Sequence, residues 1–159
     1  MSSSKSVAAD VVVVGGGLVG SAIAYGLAKE GLATTLLDEG DDAFRASRGN
    51  FGLVWVQGKG SDLPDYALWT RSSADLWPKF TEVLLTETAV DVGYSKPGGL
   101  MFCMTEEELE ERAVLLGRMR FNTTGGYDFK ILDRQDVRQL VPGVGDAVAG
   151  ASYCPHDGH

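Results

Sequence analysis

Residues 10–38 read DVVVVGGGLVGSAIAYGLAKEGLATTLLD, and this stretch decides the fold. The β-branched run Asp10–Val14 predicts a short strand buried on both faces. Glycines end the run, and Leu18–Glu30 then has helical spacing up to Gly31. Thr34–Leu37 is typical of a second strand. A strand, a helix and a strand within about 30 residues form one βαβ crossover, which we expect to be right-handed.

The turn between the first strand and the helix has the spacing GxGxxG at Gly15, Gly17 and Gly20. The first glycine permits a tight turn, the second lets the backbone approach a pyrophosphate, and the third lets the helix pack closely on the sheet. The helix N-terminus adds unpaired N–H groups and a positive dipole end, which favour a diphosphate. The sequence therefore predicts an α/β, Rossmann-like unit that binds a dinucleotide.

An acidic residue, Asp38, ends the second predicted strand. A carboxylate at this position accepts hydrogen bonds from the ribose hydroxyl groups of the adenosine, and it disfavours the 2′-phosphate of NADP. Glu39 follows, and two readings of it stay open: a second ribose contact or a solvated charge at the strand end. The glycine motif does not distinguish FAD from NAD.

The chain from Gly40 to Gly60 is loop-like, with one strand-like piece at Leu53–Val56. A helix is predicted over Pro64 to about Leu85, because apolar residues share one broad face. Pro78 lies inside it and predicts a kink or break near Trp77.

Further elements follow Gly99–Met104, a predicted strand. Thr105 is the expected N-cap of the next helix, and Glu108 closes a capping box. Glu108 and Arg112 have the spacing of an i,i+4 ion pair. Asp133 is expected to cap a short helix through Leu140, and Gly150–Cys154 is strand-like.

The composition excludes some classes of function. The chain has 159 residues and a net charge of −8, without the basic face that a nucleic-acid binder needs.

Its cysteines, Cys103 and Cys154, lack metal-ligand spacing and are expected to be buried free thiols of a reducing compartment. The apolar run Val11–Ala28 is long enough to span a membrane, but its glycines favour a strand, a turn and a helix. These features predict a cytoplasmic protein without a transmembrane segment.

The N-terminal pieces DVVVVGGGLVGSAIAYGLAKEG, TTLLDEG and RASRGNFG resemble the D-amino-acid oxidase (DAO) superfamily of FAD-dependent oxidoreductases. This resemblance implies FAD as the cofactor, with NAD as the alternative in the same fold. It also implies that the segment after the second strand returns along the cofactor. The predicted cofactor contacts are Gly15, Gly16, Gly17, Leu18, Val19, Gly20, Asp38, Glu39, Ala46, Ser47, Arg48, Asn50, Gly52 and Leu53. Arg45 and Arg48 are equally well read as solvated loop charges.

Later stretches resemble one branch of this family, the FAD-carrying subunits of opine oxidases, proline and hydroxyproline dehydrogenases and hydrogen cyanide synthase. They are FRASRGNFGLVWVQGKG, SKPGGLMFCMTEEELEER and SYCPHDGH. The resemblance implies oxidation of a C–N bond in an amino acid or N-substituted amino acid, with hydride transfer to the flavin. It also implies a partner subunit or another electron acceptor, and it leaves open an association with the inner membrane through electron transfer.

The resemblance implies a division into three parts: residues 1–60 as the start of an FAD-binding domain, 61–150 as part of an inserted α+β substrate domain, and 151–159 as a return toward the FAD domain. Because family members are more than twice as long, we expect a fragment or a truncated product, which could be an inactive or interaction subunit. The sequence predicts no particular residue as catalytic. His156 and His159 are poor metal ligands in this context and favour a turn.

Overall fold

The computed structural model describes residues 8–40 and 46–159. The chain divides into two compact units, Met1–Phe51 and Gly52–His159, and each is described by itself. The domain limits after residues 60 and 150 stay predictions. No helix in the described part of the chain is both long and apolar enough to cross a lipid bilayer.

The first unit is a βαβ crossover. Strand β1 is Val11–Val14, helix α1 is Leu18–Lys29 and strand β2 is Thr34–Leu37. The two strands are parallel, and each residue of β1 pairs with the residue 23 positions later, from Val11 with Thr34 onward. A 3₁₀ turn at Ala46–Gly49 follows. The predicted strand, turn and helix in the apolar N-terminal run are confirmed, and with them the α/β, Rossmann-like class.

The prediction that β1 is buried on both faces is wrong for the residues described. Val13 is buried, but Val12 is 54% and Val14 is 82% exposed. Helix α1 contains no buried residue either. The physical reason is that β1 pairs with β2 alone in a sheet of two strands, so little of its β-branched surface is covered.

The second unit is α+β. Its sheet is antiparallel and has β5 (Gly150–Cys154) in the centre, between β3 (Gly99–Cys103) and β4 (Lys130–Asp133). The predicted strand-like piece at Leu53–Val56 contributes only an isolated bridge from Val54 to Gly158. The elements of this unit are α2 Pro64–Thr88, β3 Gly99–Cys103, α3 Glu106–Asn122, β4 Lys130–Asp133, α4 Arg134–Leu140 and β5 Gly150–Cys154.

Helix α2 runs through Pro78 for 25 residues, so the predicted break near Trp77 is wrong, whereas a kink at that point stays a prediction. Proline lacks an N–H group, which removes the helical hydrogen bond to the carbonyl of Ala74. Burial compensates for this loss, because Ala67 and Ala74 are both packed into the main core of the unit. Tertiary packing therefore overrides the local preference of one residue.

The predicted helix caps are found. The Thr105 hydroxyl accepts a hydrogen bond from the Glu108 N–H at 3.1 Å, and the Glu108 carboxylate accepts one from the Met104 N–H at 2.6 Å. Asp133 caps α4 through the N–H of Asp136. The predicted Glu108–Arg112 pair is wrong, since the Arg112 guanidinium instead donates to polar side chains of the unit's interior.

The main core of the second unit joins α2, α3 and β5. It contains the fully buried Leu116, Met119 and Tyr127, and Cys154 lies among them. Cys103 is buried as well, and neither cysteine forms a disulfide, as the sequence predicts. Burial raises the pKa of Cys154 to about 11 and that of Tyr127 to about 12.

These raised pKa values predict a loss of stability in alkali. Between about pH 9 and 11 the unfolded chain releases the protons of Cys154 and Tyr127 while the folded chain keeps them. The free energy of unfolding therefore decreases as the pH rises, by an amount on the order of 2 kcal/mol. Urea unfolding at pH 8 and pH 10.5 measures the decrease. A Cys154→Ala variant should show a shallower decrease, and an equal decrease in both proteins would contradict the assignment.

Candidate dinucleotide site

The turn between β1 and α1 is tied to the end of β2. Gly15 has a φ of +102°, a conformation that favours glycine. Its N–H donates a hydrogen bond of 2.8 Å to the carbonyl of Leu37. The turn thus starts at the carboxyl edge of the two parallel strands, where ligands bind in open α/β sheets.

Gly20 allows α1 to approach this turn. A Cβ atom at Gly20 would lie 1.8 Å from the carbonyl oxygen of Gly15, closer than atoms can come without a shift of the backbone. This contact is the close packing that the third glycine of the motif predicts. Gly26, on the same helix, has open space where its side chain would be.

The Asp38 carboxylate lies beside the turn. One of its oxygens accepts a hydrogen bond from the Gly16 N–H at 2.5 Å, and the other accepts one from the Gly40 N–H at 2.8 Å. The ribose role of Asp38 stays a prediction. Glu39 is exposed, which fits either of its two readings.

The 3₁₀ turn brings Ser47 to the start of α1. The Ser47 hydroxyl accepts a hydrogen bond from the Leu18 N–H at 3.1 Å. Within residues 8–40 and 46–159, the N–H groups of Gly17, Val19 and Gly20 have no hydrogen-bond partner. The first turn of the helix contains no acidic residue. This set of donors at a helix N-terminus fits the phosphates of a dinucleotide.

The remaining predicted contacts are exposed. Most of them are glycine or have small or polar side chains. Two of them, Gly52 and Leu53, belong to the second unit. The exposed contacts are Ala46, Arg48, Asn50, Gly52 and Leu53. Their contact with a cofactor stays a prediction. Arg45 lies outside the described residues.

Comparison with known proteins identifies the family of this chain. Residues 10–159 match the family model of DAO, described as FAD dependent oxidoreductase. The chain belongs to this family. The FAD prediction is thereby confirmed at the level of the family, in preference to NAD.

Relatives in the DAO family include one of the subunits of opine oxidase from Rhizobium meliloti, which is 46% identical over 151 residues. That match covers 94% of this chain and 41% of the relative, so the chain spans about two-fifths of its length. Glycine oxidase of Geobacillus kaustophilus has a similar structure, with a TM-score of 0.81 at 28% identity, covering 95% of this chain and 40% of that one. Glycine oxidase of Bacillus cereus ATCC 14579 gives a TM-score of 0.77 at 31% identity, covering 96% and 40%.

A buried carboxylate in the second unit was missed by the sequence reasoning. Asp157 is fully buried. One of its oxygens accepts hydrogen bonds from the Val56 N–H at 2.6 Å and the Gln57 N–H at 3.3 Å, and the other accepts one from the Gln57 side-chain amide at 2.7 Å. These bonds join positions about 100 residues apart in the sequence, so no local sequence pattern predicts them.

The network continues from Gln57 to α3 and β5. Arg112 donates to the Gln57 side-chain oxygen and to the Ser152 hydroxyl, both at 3.0 Å. Ser152 in turn donates to the same Gln57 oxygen at 2.7 Å. Burial lowers the pKa of Arg112, while Asp157 is among the groups that oppose this shift. The network therefore fixes the segment that follows Leu53.

The sequence PHDGH forms a turn, as predicted. The His156 Nε2 atom lies 3.2 Å from an Asp128 carboxylate oxygen, and Nδ1 lies 3.9 Å from Asp75. No group of three or more potential metal ligands is found within the described part of the chain.

Substitution of Gly20 tests the turn. Gly20→Ala places a methyl group against the Gly15 carbonyl, so we expect a loss of about 1–3 kcal/mol in stability and a weaker affinity for FAD. Gly26→Ala is the matched control on the same helix, and it should stabilise the protein slightly, because alanine is the better helix former. Thermal unfolding and FAD titration measure both effects. Equal behaviour of the two variants would contradict the packing role of Gly20.

Substitution of Asp157 tests the buried network. Asp157→Ala leaves the N–H groups of Val56 and Gln57 buried without an acceptor, which should cost about 3 kcal/mol of stability. Urea unfolding measures the loss. Asp146→Ala serves as the control, because Asp146 is 93% exposed and its ion pair with Arg138 should contribute little. A similar urea midpoint for both variants would show that the network does not hold the segment in place.

Proposed function

We propose that the complete gene product is an FAD-dependent oxidoreductase that oxidises a C–N bond of an amino acid or an N-substituted amino acid. The observation that carries the proposal is the donor-rich turn with Asp38 beside it, in a chain of the DAO family. The names of the relatives support the substrate class, since they are oxidases of opines and glycine.

The residues of this chain would hold and orient the cofactor. The free N–H groups at the start of α1 would bind the diphosphate, and Asp38 would accept hydrogen bonds from the ribose. FAD, when bound, supplies the acceptor for the hydride that leaves the carbon beside the substrate nitrogen. The amine also loses a proton and becomes an imine, and addition of water then gives a carbonyl compound and a free amine.

The proposed cofactor site includes all of the residues predicted from the sequence. Those around the turn are Gly15, Gly16, Gly17, Leu18, Val19, Gly20, Asp38 and Glu39. Those that follow β2 are Ala46, Ser47, Arg48, Asn50, Gly52 and Leu53.

A partner polypeptide or another electron acceptor is also proposed. Support comes from the opine oxidase relatives, whose names describe them as subunits of that enzyme. A cytoplasmic location is part of the proposal, and the two buried free cysteines support it because such thiols persist in reducing compartments.

Ligand binding and flavin reduction test this function. We expect FAD to raise the unfolding midpoint of the complete gene product and NAD to leave it unchanged, because only a ligand of the native state stabilises it. Anaerobic addition of an N-substituted amino acid should bleach the flavin absorption band. Substrate deuterated at the carbon beside nitrogen should react more slowly, because breaking that C–H bond would limit the reduction. Stabilisation by NAD alone, or a flavin that no amine reduces, would refute the proposal.

A further inference from the structure

Helix α3 presents two large apolar side chains to solvent. Val114 is 72% and Phe121 is 83% exposed, and they are the two most exposed large apolar side chains in the described second unit. They are seven residues apart, so they lie on one face of the helix. The opposite face is the buried one, which contains Leu109, Leu116 and Met119. Exposed apolar groups that share one face of a helix are typical of a surface that binds another protein.

A glycine lies between these two side chains in the sequence. A Cβ atom at Gly117 would meet no atom within 4 Å, so the packing of this unit does not require a glycine at this position. Glycine inside a helix is less favourable than alanine. It does allow a second helix to come close, because the distance between packed helices depends on the side chains at the contact.

The charges of α3 are divided between its two halves. The first half has four exposed glutamates without an ion pair to any described residue, which are Glu106, Glu107, Glu110 and Glu111. In the second half, Arg118 pairs with Asp62 at 3.0 Å, but these side chains are 53% and 78% exposed, and such pairs contribute little. Arg120 donates instead to the carbonyls of Tyr127 and Phe129. Arg118 therefore remains accessible to a carboxylate of another molecule.

Two antiparallel α3 helices would match both the charges and the apolar groups. If a twofold axis crosses at the level of Leu116, Phe121 of one copy lies three residues along the helix from Val114 of the other. Arg118 of one copy then lies three residues from Glu111 of the other. Three residues rise about 4.5 Å along a helix, a distance that these side chains can span.

We propose that the outer face of α3, formed by Glu111, Val114, Arg118 and Phe121, is the contact between two copies of this protein, with their α3 helices antiparallel. The apolar side chains form the centre of the contact, and each Arg118 pairs with Glu111 of the other copy. Because the contact is symmetric, every favourable pair occurs twice. Gly117 lies one residue from the axis, where the two helices are closest. A parallel pair would place the acidic halves together, which like charges disfavour.

Charge reversal tests the pairing in the complete gene product with FAD added. Arg118→Glu and Glu111→Arg each place like charges across the axis. Sedimentation equilibrium should therefore show a dissociation constant at least about tenfold above that of the wild type. An equal mixture of the two variants should associate again, because each pair across the contact then has opposite charges.

Arg134→Glu is the matched control. It changes the net charge by the same amount as Arg118→Glu, at an exposed position on α4, so the dissociation constant should stay at the wild-type value. A mixture of Arg118→Glu and Glu111→Arg that stays dissociated would overturn the proposal. Equal effects of Arg134→Glu and Arg118→Glu would also overturn it, since net charge alone would then set the association.

Two further variants separate the contact from the fold. Gly117→Gln has space within its own unit, so the thermal unfolding midpoint should not fall, while the longer side chain keeps two helices apart and raises the dissociation constant. Phe121→Ser removes an exposed apolar group and should weaken association in the same way. A wild type that stays monomeric at high protein concentration, or association that neither variant weakens, would overturn the contact and leave the proposed C–N oxidation intact.

Discussion

The second unit depends on one buried carboxylate. Asp157 satisfies two backbone N–H groups and a side-chain amide in a place that solvent does not reach. A buried charge is costly unless it is fully hydrogen-bonded, so these three bonds are the condition for its presence. They attach the segment after Leu53 to the turn that follows β5. The backbone around Trp55 and Lys59 follows from that attachment.

The first unit depends on a different constraint, which is the absence of a side chain at Gly20. Helix α1 can pass close to the Gly15 carbonyl only because no methyl group intervenes. That approach places the helix N-terminus, with its unpaired donors, beside the Asp38 carboxylate. A feature for anion binding is therefore built from backbone atoms, and the sequence reveals it through glycine spacing alone.

Local patterns predicted much of the fold, because short elements and their caps are encoded by neighbouring residues. The βαβ unit, the Thr105 and Asp133 caps and the strand at Gly150–Cys154 are examples. Interactions over long separations were not predictable in this way. Arg112 has the spacing to pair with Glu108, yet it bonds to Gln57, 55 positions away. Helix α2 likewise continues through Pro78 although proline locally favours a helix end, because burial of Ala74 outweighs that preference.

The partial exposure of β1 affects how readily chains associate in solution. In the described residues, each strand of the small sheet pairs only with the other, so both outer edges keep unpaired backbone groups, beside exposed valines on β1 and exposed leucines on β2. Such edges can add strands from neighbouring molecules. The charge of −8 keeps molecules apart at low ionic strength, but salt screens this repulsion within about 10 Å at 0.1 M. Solutions of this chain alone should therefore be clearest in dilute buffer and become turbid as salt is added.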